Sequence, residues 1–154
     1  MSHFIEFDEL QEGQYLKIAG KLLPDSGFLA VEIVVEPSPG NDKIEAELQH
    51  VDLRRKRIKV LNQELPLEPV VEIRDADSGQ TDWKALKPGT LVKIKGRYED
   101  GRGFVPEKMK LKETLEFNVE ELQGRLLFVD RTNRQLVVNG IPIRANGKTI
   151  LLQA

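Results

Sequence analysis

The sequence predicts an all-β protein assembled from one structural unit written twice, and three observations carry that prediction. Apolar and charged residues alternate with period two along much of the chain, as strands buried on one face require. No segment carries the long 3.6-residue apolar stripe of an amphipathic helix. The chain also matches itself at a constant separation of 76 residues.

The self-match pairs LQEGQYLKIAGKLLPDSGFLAVEIVVE at residues 10–36 with LKPGTLVKIKGRYEDGRGFVPEKMKLK at residues 86–112, without a gap. It places Leu10 on Leu86, Gly13 on Gly89, Lys17 on Lys93, Ile18 on Ile94, Gly20 on Gly96, Gly27 on Gly103, Phe28 on Phe104 and Ile33 on Met109. Phe7 falls on Trp83, and these aromatics read as core. A second pair of segments, residues 47–67 and 121–143, shares Glu-Leu-Gln, then Val-Asp, then apolar-Pro-apolar. Matched on those landmarks its register drifts, which predicts hairpin loops of unequal length and sets His50 against Gly124.

Taken in order, a short helical turn near residues 4–10 precedes a strand through Leu16-Lys17-Ile18. Gly20 inside that strand predicts a bulge or sharp bend. The turn Pro24-Asp25-Ser26-Gly27 leads into a strand from Phe28. From residue 45 two hairpins follow, turning at Arg54-Arg55-Lys56-Arg57 and around Asn62-Gln63-Glu64. Thr81-Asp82-Trp83-Lys84-Ala85-Leu86 reads as a short helix near residues 81–87, with Thr81 or Asp82 as N-cap and Pro88-Gly89 as its end. Val92-Lys93-Ile94-Lys95, Gly96, the turn Glu99–Gly103 and a strand from Phe104 repeat the first hairpin. Asn139-Gly140, between Leu136-Val137-Val138 and Ile141-Pro142-Ile143, is a two-residue hairpin signal.

Strand, hairpin, hairpin, short helix, hairpin is the order of an OB-type barrel of five strands. The predicted architecture is two small OB-like barrels: a continuous one at residues 45–112, and a second at residues 4–36 plus 116–152 from complementary chain ends. Closure of the second within one molecule inserts one barrel into the other, and closure between molecules makes a domain-swapped dimer. The alternative division is 1–75 and 76–154.

The pattern Leu86-x-x-Gly89-x-x-Val92-x-Ile94-x-Gly96, the turn at Gly103 and the alternation to Leu111 resemble a bacterial family of unknown function with small all-β domains, often in tandem, and the consensus L-x-x-G-x-x-V-x-V-x-G. Val51-Asp52 and Val129-Asp130 are similar to that family's opening hairpin. The resemblance rests on structural glycines and core positions, so it implies a fold and no chemistry.

With 40% hydrophobic and 31% charged residues in 154, the composition is that of a globular protein able to bury a core without a metal. Having no cysteine, the chain has no disulfide, thiolate site or cysteine nucleophile. His3 and His50 are the only histidines, and no catalytic triad, paired-histidine motif or cofactor motif is written, so the expectation is a non-enzyme without cofactor. The carboxylates of Asp75-Ala76-Asp77-Ser78-Gly79-Gln80-Thr81-Asp82 alternate as in a calcium loop, yet the segment lacks the closing bidentate glutamate and reads as a polar loop with a helix cap. The first residues have neither the basic nor the apolar region of a secretory signal, and no apolar run approaches the roughly 18 residues of a membrane span. The localisation expected is cytoplasmic, or envelope or periplasmic as a mature form.

The net charge of −2 creates no global cationic field, so any polyanion site must be local. One such patch is written: Lys93, Lys95, Arg97, Lys108, Lys110 and Lys112 fall opposite the core in the second copy of the first hairpin. The first copy has Lys17, Ala19, Lys21, Glu32, Val34 and Glu36 there. Paired cationic strands repel, so the expectation is that an acidic element covers them, with Glu113, Glu116, Glu120 and Glu121 as candidates. The function expected is a binding or scaffold protein; the alternative is a polyanion or single-stranded nucleic-acid module using the lysine face. Exposed aromatics for base stacking are scarce, which disfavours the latter. The Arg54–Arg57 run reads most simply as a solubilising tip, with an addition to a basic patch as the alternative.

Overall fold

The computed structural model describes residues 2–24, 27–113 and 119–154. Asp25 and Ser26 of the first predicted turn, and Glu116, lie outside the described residues. The chain is all-β, with strands β1 (His3–Phe4), β2 (Tyr15–Leu23), β3 (Gly27–Glu36), β4 (Asp42–Glu47), β5 (His50–Asp52), β6 (Arg57–Val60) and β7 (Gln63–Pro66). They are followed by β8 (Glu72–Arg74), β9 (Leu91–Glu99), β10 (Gly103–Lys112), β11 (Glu120–Asp130), β12 (Gln135–Val138), β13 (Ile141–Arg144) and β14 (Ile150–Gln153). The two predicted helical segments are single 3₁₀ turns, Phe7–Glu9 and Trp83–Ala85, and Asp82 caps the second by accepting from the Lys84 amide.

Five strands close a barrel in the order β2-β3-β13-β12-β11 and back to β2. Its strands come from residues 15–36 and 120–144, so distant parts of one chain complete the ring. The intervening strands repeat the same neighbour relations: β5-β6-β7, and β4-β9-β10-β8. β4 also pairs antiparallel with β11, and this joins the two copies through their equivalent strands. In the closed ring β13 pairs parallel with β3 through Ile143–Phe28 and Arg144–Leu29. The equivalent strands β7 and β10 lie side by side, yet form no ladder among the described residues. Pro66 replaces Arg144 and Pro106 replaces Ala30 at that seam, and proline has no amide to donate.

Hydrogen bonds correct the register of the second repeated segment. The Leu48 amide donates to Thr90 O (2.8 Å) and the Gly89 amide to Leu48 O (2.8 Å). Leu126 donates to Gln14 O (2.7 Å) and Gly13 to Leu126 O (2.8 Å), so Leu48 is equivalent to Leu126. The separation is then 78 throughout, and the Glu-Leu-Gln landmark was misleading. His50 is equivalent to Phe128, not Gly124, and the hairpin turns are of equal length. Leu61-Asn62 (φ 47° and 63°) is a two-residue turn like Asn139-Gly140 (φ 56° and 77°), where a longer turn was expected.

The expected irregularities at Gly20 and Gly96 are present. The β2–β3 register shifts between Ala19 and Gly20, and the β9–β10 register shifts between Pro106 and Lys108, beside the Gly96–Pro106 pair. Ile18, Ile33, Ile44, Ile94, Met109 and Leu122 point into one contiguous apolar core, leaving the alternate positions outside.

Candidate functional site

Antiparallel partners share a face, so the ladders place the outward side chains in rows. One row runs Ala19, Glu121, Glu45, Lys93, Lys110 and Arg74 across β2, β11, β4, β9, β10 and β8. The next runs Lys17, Gln123, Lys43, Lys95, Lys108 and Glu72. The predicted lysines therefore do gather, with Lys93 opposite Lys110 and Lys95 opposite Lys108.

The carboxylate that meets them is not one of those expected. Glu45 Oε1 lies 3.6 Å from Lys112 Nζ, 3.9 Å from Lys93 Nζ and 4.0 Å from Lys43 Nζ, with the Glu45 side chain only 4% exposed. Its Oε2 is buried with no hydrogen-bond partner among the described residues. Glu121 is opposite Glu45 rather than over the lysines, and Glu113 is exposed. Glu120 faces the Leu22 amide at 3.3 Å, and burial raises its pKa above the usual carboxylate value. Beyond the bulge, Arg97 leaves the patch to pair with Glu107 (2.5 Å) and Glu99 (3.5 Å). Lys95, Lys108 and Lys110 form no ion pair within 4.0 Å among the described residues. With Lys93, Arg74 and Glu72 they line a shallow groove of about 330 Å³.

A second surface lies beside Trp83, which packs against the core without being fully buried. Phe7, Phe28 and Phe104 are core, but Trp83 is only half-buried. It lines an apolar groove of about 590 Å³ with Leu53, Val70, Val71, Ile73 and Lys84. That volume falls in the range of small-molecule sites, and the groove is wide open to solvent. Val71 is 80% exposed at its edge, and Lys56 Nζ lies 5.8 Å from the centroid of the Trp83 ring. Of the exposed Arg54–Arg57 run, Lys56 is the residue that meets this groove. In the other copy Arg131 stands where Leu53 stands, donating to Leu10 O (2.6 Å) and Asp8 O (3.3 Å), while Phe7 is buried in place of Trp83. The sequence signal for this difference was the Leu53/Arg131 pair, which appears only once the separation is 78.

The remaining candidates have structural occupations. Asp75 Oδ1 accepts from the amides of Asp77 (3.0 Å) and Gly79 (2.9 Å), and Arg74 Nη1 donates to Ser78 O (2.7 Å). His3 and His50 are exposed on separate strands. Tyr15 is buried beside Asp42, 3.3 Å away, and burial pushes its pKa up to about 12. No helix of the described residues is long and apolar enough to cross a membrane.

Comparison with family models, with curated proteins and with solved structures finds no match for this chain.

Proposed function

We propose that this chain is a non-enzymatic binding protein of two OB-like barrels, a continuous one at residues 45–112 set into one built from residues 4–36 and 116–152, with the apolar groove beside Trp83 as its ligand site. The equivalence of the two hydrogen-bonded frameworks supports the division. The observation that carries the function is the contrast between the copies at one place: Arg131 spans it in one, and Leu53 leaves it open in the other.

The ligand is a small apolar molecule with an anionic head. Apolar side chains form most of the groove, and its acidic members are already engaged. Glu72 pairs with Arg74 at 2.5 Å, and Asp82 caps the helical turn. Lys56 beside the ring and Lys84 in the groove lining then supply the charge.

Trp83 is the only tryptophan, so its fluorescence reports directly on the groove. Anilinonaphthalene sulfonate, an aromatic anion, is a suitable probe. Saturable binding that perturbs Trp83 emission is expected, together with its loss in Leu53→Arg, which copies the residue of the closed copy. Undiminished binding by a folded Leu53→Arg variant, or no saturable binding by the wild type, overturns the reading.

A further inference from the structure

The lysine groove on the outer face of β9 and β10 has a different character. Lys93 faces Lys110 and Lys95 faces Lys108, giving a two-by-two grid of ammonium-bearing side chains with Arg74 beside it. Opposed like charges in a sheet cost some tenths of a kcal/mol per pair. The fold does not require that cost, because the sister hairpin has the same backbone pairing with Lys17 opposite Val34 and Ala19 opposite Glu32. Internal neutralisation is incomplete. Glu45 meets Lys43, Lys93 and Lys112 and Glu72 meets Arg74, while Lys95, Lys108 and Lys110 lack ion-pair partners among the described residues.

We propose that this groove binds a short linear chain of phosphoryl groups, such as a triphosphate. Opposed side chains on neighbouring strands are about 5 Å apart, and alternate residues along a strand about 7 Å apart. One compact oligoanion lying across the grid therefore meets all four lysines at once, and a single orthophosphate does not. The two rows of the sheet face contain no aromatic side chain. Base stacking, the usual source of sequence-tolerant nucleic-acid affinity, has no platform here, which favours a bare phosphate chain over a single-stranded oligonucleotide.

The test is calorimetric titration of the full chain with inorganic tripolyphosphate, orthophosphate and an oligothymidylate, at about 50 mM and about 200 mM salt. Tripolyphosphate is expected to bind at least about tenfold more tightly than orthophosphate and to weaken as salt rises, because charge contacts release counterions. The double variant Lys95→Gln/Lys108→Gln should lose about tenfold in tripolyphosphate affinity without a fall in melting temperature, which should rise by about 1 °C as the opposed pair is relieved, both residues being exposed. Leu53→Arg should bind tripolyphosphate as the wild type does, which separates this site from the Trp83 groove. Absence of binding at low salt, undiminished affinity in the double variant, or equal affinity for orthophosphate overturns the proposal. An oligothymidylate bound more tightly than tripolyphosphate overturns it in favour of nucleic acid.

Discussion

Replacing Gly96 by valine tests why β9 carries a glycine where its neighbours are long side chains. A Cβ at Gly96 would stand 2.1 Å from Val105 O, 2.9 Å from Val105 C and 3.0 Å from Pro106 Cα. Ordinary contact begins near 3.4 Å, and the obstructing atoms are backbone, so no rotamer change relieves the clash. β9 and β10 would have to separate at the bulge. Overpacking of this kind costs about 1–3 kcal/mol, and each ladder hydrogen bond lost adds about 1 kcal/mol. The expected destabilisation is about 3 kcal/mol, a fall in melting temperature of roughly 6–12 °C for a chain of this size. Lys95→Val, one residue away and exposed, should change stability by no more than about 0.5 kcal/mol. Urea unfolding followed by far-ultraviolet circular dichroism measures both. With a slope of about 2 kcal/mol/M, the Gly96→Val midpoint should fall by about 1.5 M. Coincident midpoints for the two variants would refute the close-approach argument.

Two further outcomes follow from the same framework. Glu45→Gln removes the carboxylate shared by three lysines and should cost about 1–2 kcal/mol at low salt, less than a fully buried pair because the lysines can rehydrate; added salt should recover part of the loss. Wild-type stability of that variant in low-salt urea titrations would show that Glu45 has no such role. A fragment of residues 43–113 should show a cooperative thermal transition and a fragment of residues 1–75 should not; the reverse result would favour division at residue 75.

The sheet-forming pattern, the first repeated segment and both helical turns were legible in the chain because their causes are local. Alternation turns Lys93 and Lys95 outward while burying Val92 and Ile94. Asn139-Gly140 marks its own turn, and Asp82 its own cap. The register of the second segment was not legible, for a specific reason. The landmarks disagree, Glu-Leu-Gln giving a separation of 74, apolar-Pro-apolar 76 and Val-Asp the 78 that the hydrogen bonds select, and 74 and 78 differ by an even number. Strand side chains alternate with period two, so both alignments place the same faces inward and hydrophobic pattern alone cannot choose between them. The turn at Leu61-Asn62 was expected later and longer, around Asn62-Gln63-Glu64, because a buried leucine at φ 47° has none of the usual turn chemistry.

The sequence by itself determined the all-β class, the first self-matching segment and the shared outward direction of Lys93, Lys95, Lys108, Lys110 and Lys112, since each is read from residue identity or from period-two alternation along the chain. Tertiary structure decided ring closure, the meeting of Glu45 with Lys93 and Lys112, and the partial exposure of Trp83. Each of these depends on which distant strands become neighbours. Coulomb and packing energies act through space at a few ångströms, so a carboxylate at residue 45 can neutralise an ammonium at residue 112 only after β4, β9 and β10 have paired.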